Sequence, residues 1–282
     1  MLDRGCITRD LRPLSHLKRR VINRLRTPIR PDVLRSALQR ITGGGAELLF
    51  VHSSLSSCGY FTAGPKDVLQ SLREVSGTLG LPTHSYCYPA TVGAEAPLFN
   101  PATTPSQNGL LTEIFRTQAS VVRSVHATHS MAAMGPLAQE LTTYHYLSNT
   151  PCGAGTPYDR LLQKRASILL FGVAFHCYTL FHTAEDASGS EYAYENGTLD
   201  PLLTVDEFGH RRTCWSRRQS RAPRRFEEAG YLLERAGLVR RVPLGRNALL
   251  YVPDCAPVHE FLLERLKKIP DFLYQSCANS LE

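Results

Sequence analysis

Residues 167–186 read SILLFGVAFHCYTLFHTAED. The apolar run Ile168 to Phe175 is short enough for a fully buried strand and too short for a membrane span, which needs roughly 20 residues. Two histidines, two threonines and two carboxylates then follow within eleven residues. A buried strand that ends in so much polar chemistry points to a sheet whose edge carries a site. If a helix begins near Thr179, His182 and Glu185 lie three apart on one face, close enough for carboxylate to meet imidazole. A histidine beside a carboxylate is what a general base for an amine or hydroxyl nucleophile requires, and Thr179, one turn earlier, can donate a hydroxyl to a developing oxyanion. The plainer reading, a hydrogen-bonded core histidine above a surface acid, stays open on these residues alone.

Upstream, the same strand-then-helix alternation repeats. RPDVLRSALQRI (30–41) spaces Val33, Leu34, Leu38 and Ile41 as a helix, and a glycine run precedes the short buried strand in AELLFVHSSL (46–55). GPKDVLQSLREVSG (64–77) is a second helix, TLGLPTHSYCYP (78–89) a second strand, and LLTEIFRTQ (110–118) a short helix after a loop rich in Pro, Asn and Gly. Residues 120–145 read as strand, polar turn and helix. Downstream, DEFGHR (206–211) suits a hairpin turn, FEEAGYLLERAGLV (226–239) an amphipathic helix, and VHEFLLERLKKIPDFL (258–273) a closing helix. The alternation predicts an α/β protein, a three-layer αβα sandwich around a central mixed sheet. A basic N-terminal segment, 1–29, precedes one domain over 30–282.

The 282 residues are 43% hydrophobic and 20% charged with a formal net charge of +7, so the chain suits a globular core and an anionic partner. Its eight cysteines show no C-x-x-C pair and no zinc-ribbon spacing, and MLDRGCITRDLRPL (1–14) lacks the apolar stretch of a secretory signal, so free thiols in the cytoplasm are expected. No membrane span is expected.

Three further clusters bear on function. The turn VHSSLSS (51–57), with Ser53, Ser54 and Ser56 between a strand and a helix, is either a phosphate cradle or a set of helix caps. RSVHATHS (123–130) gathers Arg123, Ser124, His126 and His129, open to metal ligation, anion or pantetheine-amide binding, or structural hydrogen bonding. RRTCWSRRQSRAPRR (211–225) sets seven arginines around Trp215; a solvated loop or an anion site is preferred to nucleic acid. G-x-S-x-G, Walker A and G-x-G-x-x-G motifs are absent.

Six blocks, VHSSLSSCGYFTAGP (51–65), GTLGLPTHSY (77–86), FNPATTPSQNGLLTEIFR (99–116), VVRSVHATHSMAAMGP (121–136), TPCGAGTPYDRL (150–161) and LLFGVAFHCYTLFHTAED (169–186), together resemble the aminoglycoside 3-N-acetyltransferase family. The resemblance implies acetyl-CoA as co-substrate, direct transfer to an amine, and no metal. It implies His182 as base, Glu185 orienting it or holding a cationic substrate, and Thr179 near the thioester. It also maps a CoA site to Ser53, Ser54, Ser56, Arg123, Ser124 and His129. Carboxylates such as Asp186 and Glu191 would then meet a polycationic acceptor. Ala127 stands where the family often has proline, and His176 is a second-rank candidate. The arginine run argues instead for an anionic acceptor, a sugar nucleotide or a glycan. A non-catalytic relative that binds a phosphorylated ligand through the same turns, and a metal-dependent hydrolase using His126, His129 and His182, are the rival readings.

Overall fold

The computed structural model describes residues 28–91 and 94–275; the basic N-terminal segment lies almost wholly outside them. After a two-residue strand β1 (Pro28–Ile29), helix α1 (Pro31–Thr42) leads into β2 (Ala46–Ser53), a single turn α2 (Leu55–Cys58) and a short β3 (Tyr60–Phe61). Helix α3 (Pro65–Glu74), β4 (Ser76–Pro82), α4 (Leu110–Arg116), β5 (Val122–Arg123), β6 (Met131–Met134) and α5 (Ala138–Thr142) follow. Next come α6 (Pro157–Gln163), β7 (Ser167–Phe171) and α7 (Phe181–Ala187), then the long arms β8 (Tyr194–Val205) and β9 (Arg211–Gln219). The chain closes with α8 (Phe226–Arg235), β10 (Arg240–Leu244), β11 (Asn247–Val252) and α9 (Cys255–Lys268).

Seven strands form the central sheet in the order β10-β11-β7-β2-β4-β6-β5. The middle three, β7, β2 and β4, run parallel, while both flanks are antiparallel. This is the mixed sheet expected from the sequence.

The strands read as unbroken apolar runs because each buries both faces. Leu48 and Phe50 of β2, Ile168 and Leu170 of β7, and Leu250 and Val252 of β11 face one layer, with Leu141, Tyr158, Phe181, Leu233 and Leu262 from α5 to α9. Their neighbours Leu49, Val51, Leu169, Phe171, Leu249 and Tyr251 face the other, with Leu38 and Ile41 of α1, Leu69 and Leu72 of α3, and Phe115 of α4. Three layers follow directly from this period of two.

Some helix boundaries are set by backbone chemistry legible in the sequence. Pro31, Pro65 and Pro157 stand at the first positions of α1, α3 and α6, where a missing N–H costs nothing. Thr156 accepts from the Asp159 N–H as the cap of α6, and Asp254 does the same for Ala256 in α9. The expected hairpin exists, with the turn at 206–210 joining β8 to β9. Among the described residues no helix is long and apolar enough to cross a membrane.

Leu169 is fully buried at the centre of β7, between the parallel strand β2 and the antiparallel strand β11. Leu169→Ala is expected to lower the free energy of unfolding by about 3 kcal/mol, read from urea denaturation.

Candidate active site

Parallel strands β2, β4 and β7 end together at Ser53, Pro82 and Phe171, and the cleft opens beyond these carboxyl ends, where open α/β sheets characteristically bind ligands. Its volume is about 1430 Å³. The serine turn after β2 is stitched to the end of β7: the Ser54 N–H donates to the Phe171 carbonyl at 2.9 Å, and the Ser57 hydroxyl donates to the Gly172 carbonyl. Gly172, at φ +67°, is needed there, because a Cβ would lie 2.5 Å from both Cys58 Sγ and Ser57 Oγ.

On the opposite wall stands α7, on which His182 and Glu185 share a face as their spacing predicts. His182 Nδ1 lies 2.6 Å from Glu185 Oε2. Glu185 is 0% exposed, and its other oxygen accepts from Arg224 Nε at 2.6 Å. Both carboxylate oxygens thus have partners, and Glu185 is not part of the cleft lining. Because a carboxylate only accepts, His182 donates from Nδ1, which leaves Nε2 of this cleft-lining ring as the nitrogen with no hydrogen-bond partner among the described residues. Phe226 packs edge-on against the ring at 5.2 Å and restrains its tilt. Thr179 lines the cleft one turn before His182.

Arg224 was not singled out by sequence. It stands 39 residues from Glu185, so no local period links the two, and it sits in a run of seven arginines with nothing to pick it out. Its guanidinium is 8% exposed, crosses the Tyr192 ring at 5.1 Å and donates to the Ser220 hydroxyl at 3.3 Å. Much of the run is consumed in the same way. Arg212 pairs with Asp206, Arg218 with Asp200 and Arg225 with Glu228, while Arg217 lies over Tyr194. Arg218 and Arg221 reach the cleft.

The remaining expectations divide. Ser53, Ser54, Ser56 and His129 line the cleft. Arg123 and Ser124, expected beside them, do not line the cleft. Arg123 is buried and donates to Thr83 Oγ1 at 3.1 Å, Ser130 Oγ at 3.0 Å, the Thr83 carbonyl at 2.6 Å and the Pro101 carbonyl at 3.2 Å, with Phe99 beneath it. It clamps the loop 99–104 to the end of β4. Ser124 bonds His145 Nδ1 at 2.9 Å and accepts from the Met131 N–H. Asp186 and Glu191 also fall outside the cleft lining: Asp186 accepts from the Tyr194 hydroxyl, and Glu191 is exposed on a separate turn. The carboxylates that do reach the cleft are Glu195 and Glu227. Burial disfavours ionisation of Glu227, but bonds from the His176 N–H and ring and from the Phe175 N–H outweigh it and hold its carboxyl below the usual range.

The floor holds a group of histidines, of which the sequence motifs had singled out His126 and His129. His52, His84 and His129 line it, with His126 and His145 behind. Burial drives His52, His126 and His129 down to about 3, and His84 and His145 also fall well below the usual imidazole range, chiefly by burial and then by mutual repulsion. All five are neutral at pH 7. Hydrogen bonds fix the His84 ring: the Tyr158 hydroxyl donates to the His129 carbonyl at 3.1 Å, so His84 Nε2–H donates to Tyr158 at 2.7 Å, and the Tyr86 hydroxyl donates to His84 Nδ1 at 3.0 Å. Among the described residues no group of three or more His, Cys, Asp or Glu is arranged to hold a metal ion, so His126, His129 and His182 do not converge on one centre.

A three-layer α/β protein with a helix-borne His–Glu dyad at the carboxyl end of its sheet is the class these features define. Residues 50–267 match the family model for aminoglycoside 3-N-acetyltransferases, and the chain belongs to that family. It is similar to aminoglycoside N(3)-acetyltransferase VII of Streptomyces paromomycinus, 32% identical over a 177-residue alignment that covers 55% of this chain and 61% of that protein. The match thus spans less than two thirds of that relative. Its fold resembles the solved structure of AAC-IIIb binary with CoASH, with a TM-score of 0.72 at 20% identity over 86% of this chain and 97% of the other. It also resembles aminoglycoside acetyltransferase AAC(3)-IVa in complex with gentamicin, with a TM-score of 0.74 at 23% identity over 91% and 95% of the two chains.

The buried imidazoles make stability depend on pH. Each stays neutral in the folded chain but takes up a proton when unfolded below its ordinary value of 6.5, so stability is intact above that pH and is lost as pH falls toward 3. At up to about 1.4 kcal/mol per pH unit for each group, urea denaturation should show a loss of several kcal/mol between pH 7.5 and 5. Equal stability at both pH values would contradict the neutral assignment.

Proposed function

We propose that the chain is an acetyl-CoA-dependent N-acetyltransferase that acts on an amino group of an aminoglycoside or related amino-sugar acceptor, with His182 as general base. The observation that carries the reading is Nε2 of the cleft-lining His182 ring, left without a partner among the described residues while its Nδ1–H is held 2.6 Å from a buried carboxylate. An amine loses a proton as its lone pair forms a bond to an acyl carbon, and this nitrogen is oriented to accept that proton. The family assignment supports the same chemistry, and relatives of this fold have been solved with CoA and with gentamicin.

Acetyl-CoA supplies an acyl group activated as a thioester. The cleft suits so long and mixed a ligand. Seryl hydroxyls at Ser53, Ser54 and Ser56 and the open Gly64 turn, where a Cβ would meet nothing within 4 Å, offer polar contacts, while Leu55, Phe61 and Leu111 offer an apolar wall. His129 is a further contact residue, and Thr179 is positioned one helical turn from His182 to donate its hydroxyl to the acyl oxygen. Direct transfer is favoured over an acyl-enzyme. Cys177 lines the cleft, but burial, reinforced by Glu227, pushes its thiol up and away from the reactive thiolate.

A second reading has one observation behind it. Arg221 lines the cleft with no carboxylate partner among the described residues, which favours an anionic amino-sugar nucleotide or glycan over a polycation.

Thiol release from acetyl-CoA, measured with aminoglycosides, amino sugars and amino-sugar nucleotides in turn, tests the proposal and ranks the two acceptor classes. His182→Ala is expected to lower turnover by about a thousandfold while CoA affinity stays within about twofold. Turnover at the wild-type rate in that variant would remove His182 from the chemistry.

A further inference from the structure

The cleft contains one residue whose backbone is held against its own preference. Tyr86 has φ +48°, a left-handed conformation that is rare for a bulky side chain and persists only where the surroundings impose it. The surroundings here do so repeatedly. Ser85 and Tyr86 both donate their N–H groups to the Thr128 carbonyl, at 3.0 and 3.3 Å, and Cys87 donates to the Ala127 carbonyl at 3.0 Å. From the other side, Gln107 Nε2 donates to the Ser85 carbonyl at 2.7 Å.

The side chain is pinned as firmly as the backbone. Its hydroxyl donates to His84 Nδ1, and the Asn108 side chain, whose oxygen accepts from the His84 N–H, bonds the same phenol. The phenol is thereby committed to a fixed network, and its proton points at a histidine. Burial raises its pKa as well, so the group is not poised for proton transfer. Yet the tyrosine remains 44% exposed, and it lines the cleft. A tyrosine that served packing alone would hide its ring. Its centroid lies 5.5 Å from those of His84 and His129, and both of these are within electrostatic reach of His182.

We propose that Tyr86 is a stacking platform for the saccharide ring of the acceptor, holding a pyranose by its C–H face so that a ring amine meets His182. The inference rests on the acetyltransferase reading and adds the chemical group the cleft selects. The axial C–H bonds of a pyranose carry partial positive charge and meet the negative face of an aromatic ring, and a neighbouring ammonium gains from the same face. A platform works best when already in place, and the strained, doubly anchored residue is preorganised.

Steady-state transfer from acetyl-CoA to gentamicin, with thermal denaturation alongside, tests the assignment in Tyr86→Phe, Tyr86→Ala and Tyr86→Gly. Loss of the ring in the alanine and glycine variants should raise the KM for gentamicin about tenfold, with the KM for acetyl-CoA within about twofold. Phenylalanine, which keeps the ring, should stay within about threefold of wild type. Glycine, which adopts positive φ freely, should melt at least about 3 °C above alanine, since the two differ only by a Cβ at a left-handed position. An unchanged gentamicin KM in Tyr86→Ala, an equal rise in both KM values, or identical melting of the glycine and alanine variants would overturn the assignment and leave the acetyltransferase reading standing. No gentamicin-dependent thiol release from the wild type would instead sink that reading for aminoglycosides, and the platform with it.

Discussion

The contact between Glu185 and Arg224 governs the rest of the site. A carboxylate at 0% exposure is costly unless its charge is met, and Arg224 meets it at 2.6 Å from a segment beyond the β8–β9 hairpin. The pair ties α7 to the start of α8 and brings Phe226 against the His182 ring. It also spends the charge of Glu185, leaving that residue one task, to accept from His182 Nδ1. Breaking such a pair strands a buried charge, at a cost of about 3–5 kcal/mol, so this part of the fold and the orientation of the base stand or fall together.

Around this dyad the cleft is polar without being charged. His52, His84 and His129 are neutral through burial, and Tyr158 and Tyr86 hold the donor and acceptor of the His84 ring in fixed directions. Preoriented dipoles of this kind can stabilise developing charge without reorganising when it appears. The charged residues of the cleft lining are Arg218, Arg221, Arg224, Glu195 and Glu227, and the proposed acceptor would be discriminated by them.

What the sequence revealed was local. The apolar run of β7 and the i, i+3 spacing of His182 and Glu185 are neighbours in the chain, and both appear in the structure as read. The layers followed from strands that alternate between two cores. What escaped was long-range or conformational. Arg224 is one arginine among seven until the fold sets it beside Glu185, and the positive φ of Tyr86 is imposed by Thr128 and Gln107, more than twenty residues away. Arg123 is ambiguous in sequence for a related reason. A buried guanidinium that satisfies carbonyls has the same sequence signature as one that binds an anion, and only its partners, Thr83, Ser130 and Pro101, tell the two apart.

The most direct test of this arrangement is the protonation state of one ring. Two-bond 15N–1H spectra of histidine-labelled protein at pH 8, with His182 assigned by its loss in His182→Ala, report which nitrogen carries the proton. The hydrogen bond to Glu185 requires Nδ1–H, and a general base requires that Nε2 carry no proton. A proton on Nε2 would leave no lone pair turned toward an acceptor amine, and would contradict the role of His182 as base.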